Sequence, residues 1–298
     1  VELLGIPRQD ILRSISKYAL SSITLDFDEG TDIYWARQQV AERINNVWDD
    51  LPGDISGGLA PMSTPLGDMF MFTVESDTLS LEDKRFLLDW TIRPALRTVP
   101  GVADVNSLGG FVKTFEVIPR RAEVASLQIR NDDIIDALSM NNKNDGAGRI
   151  DQGEEAILVR VAGAITGLHD IGNILVESAG GQHIPLSEIA NIRMGAMERY
   201  GSVTADGKAE AVQGLVIGLS GANAREVVEG VRIKLNELEV SFPEGTTTQI
   251  FYDRSVLIEG AVSTVSKALI EAVVLVVILL GLFLGNVRAA LTVAAVLP

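Results

Sequence analysis

The chain has 298 residues, no cysteine, and 40 acidic against 25 basic residues, for a net charge of −15. That balance argues against a nucleic-acid partner and against docking on anionic lipid, and the missing thiols exclude disulfides and thiolate metal sites. A chain of this length exceeds one small core, so two or three subdomains are expected.

Taken in order, the elements alternate between strand and amphipathic helix. Strands are read at residues 12–17 and 22–28, then a helix over 33–50 capped by Thr31 or Asp32. A strand at 69–75, a helix over 81–98 capped by Ser80 with Asp83 near N3, and strands at 102–108 and 112–118 follow. Next come a helix over 131–140, a Gly- and Asn-rich stretch at 141–148 read as a loop, and strands at 156–161 and 171–176. A strand at 211–220, a helix over 224–239 opened by Asn223 with Glu226 set for a capping box, and a strand at 247–252 complete the polar part. An apolar residue and a proline follow a helix at Ile6-Pro7, Leu51-Pro52, Val99-Pro100 and Phe242-Pro243; the proline ends the helix and launches the chain extended. Two strand-helix-strand units side by side make a split βαβ sandwich of the ferredoxin type. A first such module is expected at residues 1–66, lacking its opening strand, and a second at 67–115 and 205–253. Residues 116–204 read as a lobe inserted into the second module, and 254–267 as a connecting segment.

From Ala268 to Pro298 the sequence is apolar, broken only by Glu271 and by Asn286-Val287-Arg288. Residues 268–287 fit a membrane helix, because twenty residues at about 1.5 Å each span the roughly 30 Å of a bilayer core. Residues 288–298 then begin a second span. A buried hairpin of two core helices is the alternative, and it sits poorly with Val, Leu and Ile on every face. Lys267 and Arg288 flank the span, and Arg288 in the short turn favours a cytoplasmic turn, which leaves the large acidic part outside the inner membrane. The chain starts at Val1 without a methionine and stops within an apolar run, so it reads as a piece of a longer membrane protein.

No nucleophile elbow, P-loop, dinucleotide fingerprint or acid/base pair is present, so the chain does not read as an enzyme. His169 and His183 lack zinc-ligand spacing and read as surface groups. Asp26, Asp28, Glu29 and Asp32 form an acidic run that suits a solvated helix cap rather than a Ca²⁺ loop. Glu271 lies one turn inside the span, either as an interfacial partner of Lys267 at i−4 or as a functional carboxylate. Gly281 and Gly285 form a GxxxG pair. Met69 and Met71 are placed by alternation on the face opposite Asp68, as core filling or as thioether ligands.

Two split βαβ modules, a lobe inserted in the second and an apolar C-terminal hairpin resemble the first periplasmic half of a resistance-nodulation-division (RND) efflux transporter. The strings at 27–37 (FDEGTDIYWAR), 89–105 (DWTIRPALRTVPGVADV), 141–148 (NNKNDGAG), 158–163 (LVRVAG), 252–255 (YDRS) and 283–291 (FLGNVRAAL) are similar to the heavy-metal branch, nearer its cobalt-zinc-cadmium type. The resemblance implies an α+β fold of two ferredoxin-like porter modules with a docking lobe, followed by transmembrane helices. It also implies a homotrimer in the inner membrane, driven by the proton gradient, without a bound cofactor. A divalent cation is the implied cargo, passed to a periplasmic adaptor and an outer-membrane channel. Asp68 then matches a cleft-bordering position where zinc-type members carry a carboxylate, against the plainer reading of a strand-opening aspartate that satisfies a turn. Met197, close to Met194, lies near the route of a cation leaving through a central funnel, or is ordinary packing. An RND exporter of drugs and a membrane-anchored assembly or sensor domain are the competing readings. A drug exporter is expected to carry a longer protruding hairpin after Gly148.

Overall fold

Two antiparallel strands, β1 Gln9–Lys17 and β2 Leu20–Phe27, open the computed structural model, which describes residues 2–18, 20–53, 55–63, 67–152, 155–161 and 163–284. Helix α1 (Ile33–Val47) follows, and its cap is Asp32, whose carboxylate accepts the Trp35 N–H at 2.8 Å. Thr31 instead donates its hydroxyl to the Asp28 carbonyl at 2.7 Å, and Asp26 pairs with Arg13 at 2.6 Å, so the acidic run is a solvated cap. A 3-10 turn at Trp48–Asp50 ends the helix ahead of Pro52. Arg37 donates to the Ala60 carbonyl at 2.8 Å and ties the Pro/Gly-rich run back to α1. Residues 1–62 form one compact unit and 63–298 another.

The second unit begins with β3 (Asp68–Ser76) and helix α2 (Leu81–Leu87), which widens into a π turn at Leu88–Ile92 before α3 (Arg93–Leu96). Pro94 explains the widening, since it has no N–H and its ring crowds the carbonyl four residues back. Ser80 caps α2 by accepting the Asp83 N–H at 3.1 Å. Strands β4 (Val102–Gly109) and β5 (Lys113–Pro119) follow, then helices α4 (Arg121–Ser126) and α5 (Asn131–Met140). Strands β6 (Asp145–Gln152) and β7 (Glu155–Val161) pair as a hairpin, so the Gly- and Asn-rich stretch expected to be a loop supplies the start of a strand. The strand expected at 171–176 is instead helix α6 (Leu168–Gly172) followed by β8 (Leu175–Glu177). The Asp170 carboxylate draws the chain into that turn by accepting the Thr166 N–H at 2.9 Å and its hydroxyl at 2.6 Å. Strand β9 (His183–Pro185), helix α7 (Leu186–Ile189) and strand β10 (Ala190–Ala196) lead to a small ribbon, β11 (Thr204–Ala205) with β12 (Ala209–Glu210). Strand β13 (Val212–Gly218), helix α8 (Ala224–Glu239), strand β14 (Thr246–Asp253) and helix α9 (Arg254–Leu284) follow.

Four of these strands form one antiparallel sheet in the order β14-β3-β13-β4. With α2–α3 joining β3 to β4 and α8 joining β13 to β14, this is a β-α-β-β-α-β sandwich of the ferredoxin type, and residues 110–211 are inserted in its central hairpin. One sheet face is dry: Phe70, Phe72 and Val74, Val105, and Val212 and Val216 pack under Leu88, Ile92 and Leu96 and under Val227, Val231 and Leu235. The helical residues recur at four and the strand residues at even spacings, which is why each element presents one apolar face. Gly101 turns the chain into β4 at φ +86°, and a Cβ there would lie 2.5 Å from a methyl of Val227. Gly101→Ala is therefore expected to cost roughly 2–4 kcal/mol from backbone strain plus overlap, read as a lower denaturant midpoint with unchanged m.

The inserted lobe has its own core of Ile129, Ile134, Ile171, Val176, Leu186 and Ile189, into which the β5–β10 ribbon sends Val117 and Ile192. Arg120 holds the ribbon to the end of α7, donating to the Ser187 carbonyl at 3.2 Å and to the Asn191 side chain at 3.1 Å. Where the lobe joins the module, Arg199 lies 3.8 Å over the Phe111 ring and donates to Glu210 at 2.8 Å, while Lys113 pairs with Asp83. Lys113 holds the Asp83 carboxyl below its ordinary range, and Arg199 does the same to Glu210. Between the depressed folded values and unfolded values near 3.9–4.3, the unfolded chain binds more protons than the folded one, so stability falls as pH falls. The unfolding midpoint is expected to stay level from pH 7 to about 5 and to drop below about pH 4, checked by thermal melts across that range.

Helix α9 runs unbroken for 31 residues, so residues 254–267, read from sequence as a connecting segment, are helical. At about 1.5 Å per residue it is roughly 46 Å long, more than a bilayer core requires. Its most apolar stretch has a mean hydropathy of 2.2 and none of it is buried in the protein, so it is long and apolar enough to cross a membrane. The Asn286-Val287-Arg288 turn, the second span at 288–298 and Gly285 of the glycine pair lie outside the described residues.

Candidate cation site on the porter module

Asp68 opens β3 immediately after Gly67, and its side chain is exposed. A bulge follows: Ile217 of β13 pairs with Asp68 and Val216 with Phe70, leaving Met69 without a partner across the strand. The extra residue turns Met69 into the module core, 5% exposed and packed on Gly218, instead of onto the face shared with Met71. Simple alternation misses this because it counts no bulge. Met71 alternates onto the other face with Leu215 and Leu108, where they are half-buried or exposed. Among the described residues the Asp68 carboxylate has no hydrogen-bond or ion-pair partner, so its lone pairs are available to a cation.

The other candidates lie elsewhere. Met194 pairs with Phe115 across the β5–β10 ribbon, both about half exposed, and Met197 follows with its N–H on the Val112 carbonyl at 2.9 Å. His169 and His183 lie in the lobe, the first with its ring nitrogen 3.1 Å from the Asn173 amide. Glu271 is exposed on α9. Among the described residues no three His, Asp or Glu side chains converge on one point, so none of them forms a closed metal cage.

Sequence reading did not single out the charged joint between the module and α9. Asp253, the last residue of β14, has a side chain only 7% exposed and an ion pair with Arg232 of α8. Its other oxygen accepts the Ser255 N–H at 2.8 Å and hydroxyl at 2.6 Å, capping α9. Burial pushes the Asp253 carboxyl up, but Ser255 and Arg232 together hold it below its ordinary range. An aspartate followed two residues later by serine just ahead of an apolar helix is a cap signal, and the Tyr-Asp-Arg-Ser string contains it.

A ferredoxin-like module with a lobe in its central hairpin thus passes directly into a helix long and apolar enough to cross a membrane. The sequence matches the AcrB/AcrD/AcrF family over residues 1–298. It is 40% identical over 307 residues to the cobalt-zinc-cadmium resistance protein CzcA of Cupriavidus metallidurans, covering 100% of this chain and 29% of that one. It is 35% identical over 299 residues to the cation efflux system protein CusA of Escherichia coli K12, covering 99% of this chain and 29% of that one. The crystal structure of a heavy metal efflux pump superposes with a TM-score of 0.88 at 33% identity, over 99% of this chain and 30% of the pump. The chain therefore belongs to the AcrB/AcrD/AcrF family of RND efflux transporters, and it spans about three-tenths of the length of the curated relatives it matches.

Proposed function

We propose that this chain is the first porter region of an inner-membrane pump that exports divalent heavy-metal cations, zinc, cobalt and cadmium foremost. The observation that supports it best is the match of the whole chain, lobe and apolar helix included, to a heavy metal efflux pump. The relative named for cobalt-zinc-cadmium resistance is 40% identical over the whole of this chain, which favours those ions. In this reading the protein transports and does not catalyse, with the proton gradient as its energy source. It acts as a homotrimer that meets a periplasmic adaptor and an outer-membrane channel, with the bulk of residues 1–253 in the periplasm. The inserted lobe, a separately cored unit at one end of the sandwich, suits the docking contact. Asp68 serves as one oxygen ligand to the passing cation, the remaining ligands coming from other parts of the pump. Met197, exposed at the root of the lobe, lies on the exit route.

Growth of cells expressing the full-length protein in Zn²⁺, Co²⁺, Cd²⁺, Ni²⁺ and Cu⁺ tests this. Raised tolerance to zinc, cobalt and cadmium is the expected result. Unchanged tolerance to every ion rejects the reading, and tolerance raised only toward organic compounds replaces it with a drug exporter.

A further inference from the structure

Strand β14 passes into helix α9 with no linker, since Asp253 is the last residue of the strand and Arg254 the first of the helix. Two ion pairs then pin the start of α9 along α8. The inner one joins the buried Asp253 carboxylate to the half-exposed Arg232, whose guanidinium also lies 5.8 Å from the centre of the Phe70 ring. The exposed one joins Glu259 to Arg225 at 3.4 Å. Arg225 and Arg232 are two helical turns apart on one face of α8, so both pairs lie along the side of α8 that meets α9. On the sheet side Asp253 pairs with Phe70 of β3, which sits just beyond the bulge that follows Asp68. The membrane helix, the inner ion pair and the strand that presents the candidate cation ligand thus meet at one point.

A helix with its i→i−4 bonds intact moves as a rod, and here no flexible residue separates the rod from the sheet. Displacement of α9 must therefore move β14 and β3 or break the tie at Asp253. We propose that Arg232 and Asp253 form a positioning joint that makes the Asp68 end of β3 follow the membrane helix, coupling events in the membrane to cation handling on the module. This inference rests on the transporter reading above. Neither residue touches the cation; the pair acts through the strand.

Three variants of the full-length protein, reconstituted in liposomes and assayed for Zn²⁺ transport, test it. Asp253→Asn keeps an oxygen for the Ser255 cap and loses the charge, Arg232→Gln loses the opposite charge, and Arg232→Lys keeps it. The joint predicts that kcat falls about tenfold in Asp253→Asn and Arg232→Gln while KM for Zn²⁺ stays within about twofold, because ground-state binding at Asp68 is untouched. Arg232→Lys is expected to recover at least about half of the lost turnover, since it restores the ion pair. Wild-type kcat in Asp253→Asn overturns the joint, as does a rise in KM without loss of kcat or a failure of Arg232→Lys to recover turnover. Should Arg232→Gln not reach the membrane, Asp253→Asn decides alone, its cap being preserved. A wild-type protein that moves no cation contradicts the transporter reading instead.

Discussion

Phe72→Ala is expected to lower the stability of the porter module by about 3–5 kcal/mol, the usual range for truncating a buried phenylalanine. Phe72 is fully buried on β3, which lies between β14 and β13 and therefore has sheet on both sides. Its ring covers Gly214 of β13 and sits 6.2 Å from the Phe70 ring. Gly214 has no side chain to move into the vacated space, and Phe70 is held by its own strand, so the cavity cannot collapse and the cost should fall in the upper part of that range. Denaturant unfolding with the midpoint and m measured together checks this, because an unchanged m confirms that the native state alone is affected. A loss under about 1 kcal/mol contradicts the placement of Phe72 in the shared core of sheet and helices.

The second large effect is functional. Asp68→Ala is expected to cut zinc, cobalt and cadmium transport by about tenfold or more, equivalent to roughly 1.4 kcal/mol of lost stabilisation of the bound cation. Stability should change by less than about 0.5 kcal/mol, since the carboxylate is exposed and bonds to nothing among the described residues. Asp68→Glu, which keeps an oxygen ligand on a longer stem, should retain part of the activity. That pattern separates a ligand from a strand-opening aspartate that satisfies a turn, for which loss of activity would track loss of stability. Full resistance to all three ions in Asp68→Ala removes it from the cation path.

Much of the fold was legible in sequence, for reasons that particular residues make plain. Leu88, Ile92 and Leu96 repeat at four, Val212, Gly214, Val216 and Gly218 at two, and Ser80 and Asn223 mark helix starts that the structure also caps. The insertion showed itself because the module's two halves bracket residues of a different texture. What failed was decided by local contacts that periodicity does not register. The bulge at Met69 reversed the face of one side chain, and the Asp170 carboxylate drew the start of an expected strand into a short helix. Strand β6 was hidden by Gly146 and Gly148, which have low strand propensity and are carried there by pairing with β7. Helix α9 starts ahead of its apolar stretch because Asp253 caps it early, and polar residues such as Ser263 and Ser266 made that part look like a connector. The site was only partly legible. Asp68 was singled out through the family resemblance, with a strand-opening aspartate as the plainer reading, whereas the Arg232–Asp253 joint depends on two elements meeting in space.

Uptake of radiolabelled zinc by everted inner-membrane vesicles carrying the full-length protein tests cation movement across the membrane most directly. With an imposed proton gradient, acid inside, vesicles should accumulate zinc above the level of control vesicles, and a protonophore should abolish the difference. Zinc uptake equal to that of control vesicles, with the protein present in the membrane, contradicts the transporter reading.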